Sequence, residues 1–212
     1  MKLRIPVLFS RAVITPKKLL PIKIGSRNEK KLVLKHHQSK QHIGLIYKRG
    51  AAPQRIGCFA GISKLLAARS GGFLDVLTQG ATRFKVLRYI QSDSLLFAEV
   101  TPYVDYPILR TKRLHTIAER TKKTMKRWAL GSHFQCTPDT ITSLTPFQLS
   151  YFPPALPFFS TFEQQILLEM RSVSRRLSLI ESRLQESLYK HMLTEELSEH
   201  ISKKYEEESI LN

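Results

Sequence analysis

The chain has 212 residues, 42% of them hydrophobic and 24% charged, which suits one large or two small domains with a real core. No apolar run nears the roughly eighteen residues a membrane span needs, and residues 1–9 carry no signal-peptide core, so a soluble cytoplasmic protein is expected. The net charge of +17 is uneven: residues 1–133 hold 27 Lys/Arg against 6 Asp/Glu, and residues 134–212 hold 7 against 11. Such asymmetry suits a polyanion, an acidic surface or the chain's own acidic tail.

The first elements are three short apolar runs, each pinned by a proline: Ile5-Pro6-Val7-Leu8-Phe9, Val13-Ile14-Thr15-Pro16 and Leu20-Pro21-Ile22-Lys23-Ile24. Proline fixes φ and cannot donate to a ladder, so these read as short, bent or edge strands of a curved sheet. Residues 27–37 predict a short helix with Leu32 and Val33 on its apolar face. Strands are expected at Ile43-Gly44-Leu45-Ile46-Tyr47 and at Ile56-Gly57-Cys58-Phe59-Ala60-Gly61-Ile62. Gly71-Gly72 marks a turn, and Phe73-Leu74-Asp75-Val76-Leu77-Thr78 a further strand. Alternation across 83–89 directs Phe84, Val86 and Arg88 to one face, with Lys85, Leu87 and Tyr89 on the other. In this reading Phe84 fills the core and Arg83 is solvated, while Gly57, Gly61 and Gly80 serve curvature and turns. Leu95-Leu96-Phe97-Ala98-Glu99-Val100 closes the β-rich part.

Beyond Tyr106-Pro107 the period changes. Leu114, Ile117, Thr121, Met125 and Trp128 recur at helical steps and predict a helix over 109–129, with Trp128 in the core. Residues 132–143 read as loop. Residues 145–159, with Pro146, Pro153, Pro154 and Pro157, read as a short helix and an extended link. Ser160 or Thr161 caps the next helix, with Glu163 in its first turn. Its stripe of Ile166, Met170, Val173, Leu177, Ile180 and Leu184 predicts one continuous helix of roughly 25 residues. That stripe, extended to Leu188, could also pair with a second copy, although packing within its own bundle is the expected use. A separate, acidic helix is expected over 194–211.

The residues offer little chemistry. Cys58 and Cys136 belong to no CxxC pair and read as reduced, partly buried thiols. His36, His37 and His42 lie in a Lys- and Gln-rich stretch that reads as a solvated loop, so no metal or cofactor is expected. There is no G-x-x-x-x-G-K-[ST] phosphate loop and no nucleophile-elbow context, and acids are sparse in the β-rich part. A non-enzyme is expected.

Two candidate surfaces stand out instead. One is basic: Lys17, Lys18, Lys23, Arg27, Lys30 and Lys31, then Arg110, Lys112, Arg113, Arg120, Lys122, Lys123, Lys126 and Arg127. In the second cluster only Glu119 offsets eight cations, although like charges at i, i+4 repel by a few tenths of a kcal/mol. The other is an apolar, peptide-receiving patch of Phe147, Tyr151, Phe152, Phe158 and Phe159. Its alternative role is a hinge that packs the helical part on the sheet.

The order of proline-pinned strands, Ile43-Gly44-Leu45-Ile46, Gly57-Cys58-Phe59-Ala60-Gly61-Ile62, Gly80 to Arg83-Phe84-Lys85-Val86, Phe97-Ala98-Glu99-Val100 and then helices resembles the Lon protease N-terminal (substrate-binding) domain family. Ser160-Thr161-Phe162-Glu163-Gln164-Gln165-Ile166-Leu167-Leu168-Glu169 with Arg176-Leu177 is similar to the family's "KQ-LLE … RL" helix, so the resemblance spans about 5–189. Departures exist: Gly25 and Asn28 replace the family's usual Glu and Tyr around Arg27, and the helix at 109–129 is basic where the family's is commonly acidic. The resemblance implies an α+β protein with a PUA-like curved β-barrel or pseudo-barrel over 1–106 and a helical bundle with one long helix over 107–212. It further implies a stand-alone relative without ATPase or protease domains, binding unfolded or extended protein segments in protein quality control. Such segments would add to a sheet edge or lie in an apolar groove between the halves. The rival expectation is an RNA-binding module, since PUA-like barrels host such binders and the basic surface supplies the electrostatic footprint.

Overall fold

In the computed structural model, residues 2–50, 52–66, 72–92, 95–106, 111–130, 137–152 and 159–210 are described. Numbered along the chain, the elements are β1 (Leu3–Ser10), β2 (Leu19–Ile24), α1 (Arg27–Gln38), β3 (Ile43–Arg49), β4 (Ala52–Pro53), β5 (Ile56–Leu65), β6 (Leu74–Ser92) and β7 (Leu95–Pro102). The helices α2 (Lys112–Leu130), α3 (Pro138–Ser143), α4 (Pro146–Leu149), α5 (Thr161–Glu169) and α6 (Val173–Ile210) follow. They fall into two compact units. Met1–Ile108 with Tyr151–Ser172 forms the sheet unit, and Leu109–Ser150 with Val173–Asn212 the helical unit. The sheet unit thus takes back the segment carrying α5, which a single boundary near residue 106 does not contain.

In the sheet unit seven strands run in the order β1-β7-β6-β5-β3-β4, with β2 on β6 and an added β1–β3 pairing. The β1–β3 ladder is parallel and the others are antiparallel. The α+β class stands, but the sheet is partly ringed and is not a barrel. The pairing of β1 shows why. Its Leu3, Arg4, Ile5 and Pro6 pair with β7, whereas Val7, Leu8, Phe9 and Ser10 pair with β3. One strand therefore serves two neighbours in series, changing partner just after Pro6, whose nitrogen cannot donate to a ladder. β6 is long enough to do likewise: Leu74 to Gln79 pair with β2, and Phe84 to Ser92 with β7.

Register shifts bend these strands, between Cys58 and Ala60, between Ile62 and Lys64, and between Val86 and Arg88. The last corrects the expected alternation across 83–89. Leu87 is left over and exposed, so the faces swap after it. Tyr89 then packs with Phe84 and Val86 against Val7, Ile46, Ala98 and Val100, while Arg88 is exposed. A second cluster gathers Leu8, Ile14, Leu20 and Ile24 with Val33 of α1 and with Ile43, Leu45, Cys58 and Val76. Helix α1 buries Leu32 and Val33, as its pattern predicts. Two glycines are required by close approach. A Cβ at Gly80 would sit 2.1 Å from the Thr15 carbonyl oxygen, and one at Gly57 2.7 Å from that of Leu45.

Arg83 overturns its expected solvation. It is 5% exposed and donates through Nη1 to the carbonyls of Leu168 (2.6 Å) and Met170 (2.8 Å), while Nη2 pairs with Asp105. Tyr103 Oη adds a bond to the Glu169 carbonyl at 2.8 Å, and the backbone N–H of Tyr106 donates to Arg171 O at 3.0 Å. The last carbonyls of α5 thus find side-chain donors on the sheet unit. The expected continuous helix is corrected here: α5 ends at Glu169, Met170 turns extended (ψ 130°), and α6 restarts at Val173. The start of α5 matches expectation, with Ser160 and Glu163 forming a capping box.

In the helical unit, α2 buries Leu114, Ala118, Thr121, Met125 and Trp128, and α6 buries Val173, Leu177, Ile180 and Leu184. Trp128 Nε1 donates to Ser187 Oγ at 3.2 Å, and Arg176, fully buried, donates through Nε to Ser150 Oγ at 3.1 Å. Two further expectations are corrected. Pro138–Ser143 is helical rather than loop, because Thr137 caps it and Pro138 stands in its first turn. The acidic tail is no separate helix, since α6 runs unbroken to Ile210.

Two outcomes follow for stability. Gly80→Ala is expected to cost about 3 kcal/mol or more, because backbone must move, while Gly61→Ala, whose Cβ would meet nothing closer than 3.7 Å, stays within about 1 kcal/mol. Arg83→Met removes a guanidinium from beside a buried carboxylate and is expected to cost about 3–5 kcal/mol. Urea unfolding of each variant checks both, and a loss below about 1 kcal/mol for Arg83→Met would refute its anchoring role.

Candidate functional site

An open cleft of about 490 Å³ lies in the sheet unit where the end of β3 meets the start of α5. The apolar run of β3 ends in Lys48-Arg49, and Gly50 (φ +66°) turns the chain into β4. Gln54 N–H donates to Tyr47 O at 3.0 Å and holds that hairpin closed. Arg11, Tyr47, Lys48 and Arg49 line one side, and Ser160, Thr161 and Phe162 the other. Phe162 is 61% exposed. Lys48 Nζ lies 4.9 Å from the centroid of the exposed Phe9 ring, and Phe9 meets the half-buried Tyr89 edge-on at 6.1 Å.

The electrostatics there are one-sided. Among the described residues no carboxylate lines the cleft, and none forms an ion pair with Arg11, Lys48 or Arg49. Glu163, the nearest acid in sequence, accepts from Ser160 N–H (2.9 Å) and Ser160 Oγ (2.7 Å) as part of the helix cap. Glu99 and Asp105 pair with Arg88 and Arg83, and the hydrogen bond from Arg88 holds the Glu99 carboxyl below the usual carboxylate range.

The basic residues singled out from the sequence have mixed fates. Lys23, Arg27 and Lys31 are exposed, as is Lys17 in the turn before β2. Lys18 turns inward, donating to Val13 O and Gln164 Oε1 (both 2.9 Å), and burial lowers its pKa. Lys30 donates to the Gly72 carbonyl. In the helical unit, Lys112, Arg113, Arg120, Lys123, Lys126 and Arg127 occupy the half of α2 opposite its buried stripe, while Lys122, at its edge and 15% exposed, donates to Glu119 Oε1 (3.1 Å) and Thr142 O (3.0 Å). Lys112, Arg113 and Arg120 border a groove of about 540 Å³ that α6 completes with Ser174, Arg175 and Ser178. Arg110 lies outside the described residues.

The aromatic residues singled out from the sequence also differ in exposure. Tyr151 and Phe159 are buried and Phe152 half-buried, while Phe147 is exposed; Phe158 lies outside the described residues. Tyr151 instead lies under the Arg83 guanidinium, 5.7 Å from its centre. The cleft residues Arg11, Lys48, Arg49 and Phe162 escape sequence reasoning because they come from three distant segments. The one local signal is Lys48-Arg49-Gly50 directly after an apolar strand.

Among the described residues no group of three or more His, Cys, Asp or Glu gathers as a metal site. His36 and His37 lie on α1, with Nδ1 atoms on Leu32 O (2.9 Å) and Ile62 O (3.3 Å), not in a solvated loop. No helix among the described residues is long and apolar enough to cross a membrane.

With this geometry in view, likeness to known proteins becomes informative. The family model of the ATP-dependent protease La (LON) substrate-binding domain matches residues 4–186. The chain belongs to that family. Its match spans the sheet unit, α2 and the first part of α6, and it includes every residue of the cleft. Among solved structures, the chain is similar to the N-terminal domain of the Mycobacterium avium complex Lon protease, with TM-score 0.69 and 18% identity over 86% of this chain and 98% of that one. It is also similar to the Lon N-terminal domain protein from Xanthomonas campestris, with TM-score 0.56 and 20% identity over 85% and 98% of the two chains. At such identities these likenesses speak for the fold. No curated protein matches the chain.

The family's β-rich core fixes the state of one thiol. Cys58 has no exposed surface, and burial pushes its pKa up to about 12. In a Cys136→Ser background, Cys58 is therefore expected to resist a thiol reagent at about pH 8 in the native state and to react fully after denaturation. The folded-state value lies above the unfolded one, so its contribution to stability is present below about pH 9 and is lost as pH rises toward 12. Native-state labelling at the denatured-state rate would refute this burial.

Proposed function

We propose that this protein is a non-catalytic module that binds unfolded or extended protein segments, in the manner of a substrate receptor serving protein quality control. The observation that carries the reading is the open cleft beside exposed Phe9 and Phe162, within a chain of a substrate-binding domain family. Exposed rings on a strand and a helix, Phe9 on β1 and Phe162 on α5, hold apolar side chains at low entropic cost, and an open cleft tolerates varied sequence. The lining fits a binding role, because among the described residues it brings together cations, hydroxyls and rings but no carboxylate, imidazole or thiol, and the Ser160 hydroxyl is engaged in the helix cap with Glu163.

The test is direct. Purified protein offered a panel of chemically unfolded proteins and immobilised peptides is expected to retain several of them and to release their folded counterparts. Retention of none would sink the proposal.

A second reading has its own observation, the basic half of α2. Six cations, Lys112, Arg113, Arg120, Lys123, Lys126 and Arg127, stand on the outward half of a 19-residue helix, three of them beside the hydroxyls of Thr116, Ser174 and Ser178. Such a face suits the phosphates of RNA without reading its sequence. Labelled RNA titrated across a salt series is then expected to lose affinity linearly on logarithmic axes, with a slope reporting the cations engaged. Binding that is weak at low salt, or flat with salt, removes this reading.

A further inference from the structure

We propose that the cleft between the β3–β4 hairpin and the start of α5 selects acidic segments, seating an aromatic or aliphatic side chain on Phe162 with neighbouring carboxylates on Arg11, Lys48 and Arg49. The inference rests on the protein-binding reading and narrows it to a substrate class. Three cations converge on one concavity, and no acid among the described residues neutralises them. The carboxylate nearest in sequence, Glu163, already accepts both the N–H and the hydroxyl of Ser160.

A cleft lined by one sign of charge with low-dielectric walls focuses its field and raises the local concentration of the opposite charge. Here those walls are aromatic. Phe162 is 61% exposed, and the Lys48 ammonium lies 4.9 Å from the centroid of the Phe9 ring. Guanidinium groups at Arg11 and Arg49 can each take a carboxylate through two parallel bonds. A single segment satisfies both features only if acid and apolar residue are close in its sequence, since successive side chains of an extended chain are about 3.3 Å apart along it. A phosphodiester backbone would satisfy the cations and leave the ring to a base, which makes RNA the competing occupant.

The experiment uses the full chain and fluorescently labelled peptides of equal length: acidic with a central Phe, acidic with Ala in its place, and basic with Phe. A labelled RNA oligonucleotide serves as a fourth probe. The acidic Phe peptide is expected to bind best and to weaken as salt rises. Arg11→Gln and Arg49→Gln should each lower its affinity roughly three- to tenfold. The triple charge reversal (R11E, K48E, R49E) should lower it on the order of a hundredfold. Phe162→Ala should remove the preference for Phe over Ala, while Lys64→Glu on β5, an exposed cation outside the cleft, leaves all of this unchanged. Circular dichroism and unfolding midpoints confirm that these surface variants fold.

Equal binding of the basic Phe peptide, or indifference of the acidic one to the triple reversal, overturns the inference. If unfolded proteins are still retained by those same variants, only the cleft assignment falls and the binding reading stands. RNA binding that is lost in the triple reversal, without acidic-peptide binding, gives the cleft to nucleic acid and also overturns it. Failure to bind peptides and unfolded proteins alike removes both.

Discussion

The sheet unit turns on one buried guanidinium. Arg83 projects from the middle of β6, pairs with Asp105 just past β7 and holds the carbonyls of Leu168 and Met170 at the end of α5. A buried charge is tolerable only when its donors are used and a counter-charge is near. Those conditions tie together three segments that lie far apart in sequence. Tyr103 reinforces the arrangement from both sides, with its ring 5.1 Å from the Arg83 guanidinium centre and its hydroxyl on the Glu169 carbonyl. The placement of α5, and so of Ser160, Thr161 and Phe162 at its other end, follows from this anchorage. The cleft owes its second wall to a side chain that never touches it.

What could be read from the sequence had a local cause. The helix bearing Leu32 and Val33, the cap at Ser160, and the burial of Phe84 and Trp128 each follow from spacing or from a capping pair a few residues apart. The errors share a different origin. A hydrophobic stripe continues through Met170, Val173 and Leu177, so nothing local announces the break that ends α5. The interruption depends on acceptors meeting Arg83, about 85 residues away in sequence. Likewise the bulge at Leu87 depends on the register of β7, and it inverts an alternation that is regular on paper. Prolines were the better guide to curvature, because Pro6 acts through its own missing hydrogen.

The candidate site was the least legible part, for the same reason. Composition announced cations, but 34 Lys/Arg distributed over 212 residues do not say which of them share a concavity. Several of the sequence-nominated residues have structural duties: Lys18 ties Val13 to Gln164, Lys30 meets the Gly72 carbonyl, and Tyr151 lies against Arg83. The cleft instead draws Arg11 from after β1, Lys48 and Arg49 from the end of β3, and Phe162 from α5. Such a set is visible only once the ladders and the α5 anchor are in place.

The return of residues Tyr151–Ser172 to the sheet unit carries a consequence for biogenesis. Val13, Tyr47 and Ile56 form an apolar seat that Leu168 completes. On the ribosome that seat is made more than a hundred residues before its lid, so the nascent sheet keeps a greasy face uncovered until α5 emerges. The domain thus passes through an interval in which its own apolar surface is uncovered, and synthesis rate and chaperone supply bear directly on its yield.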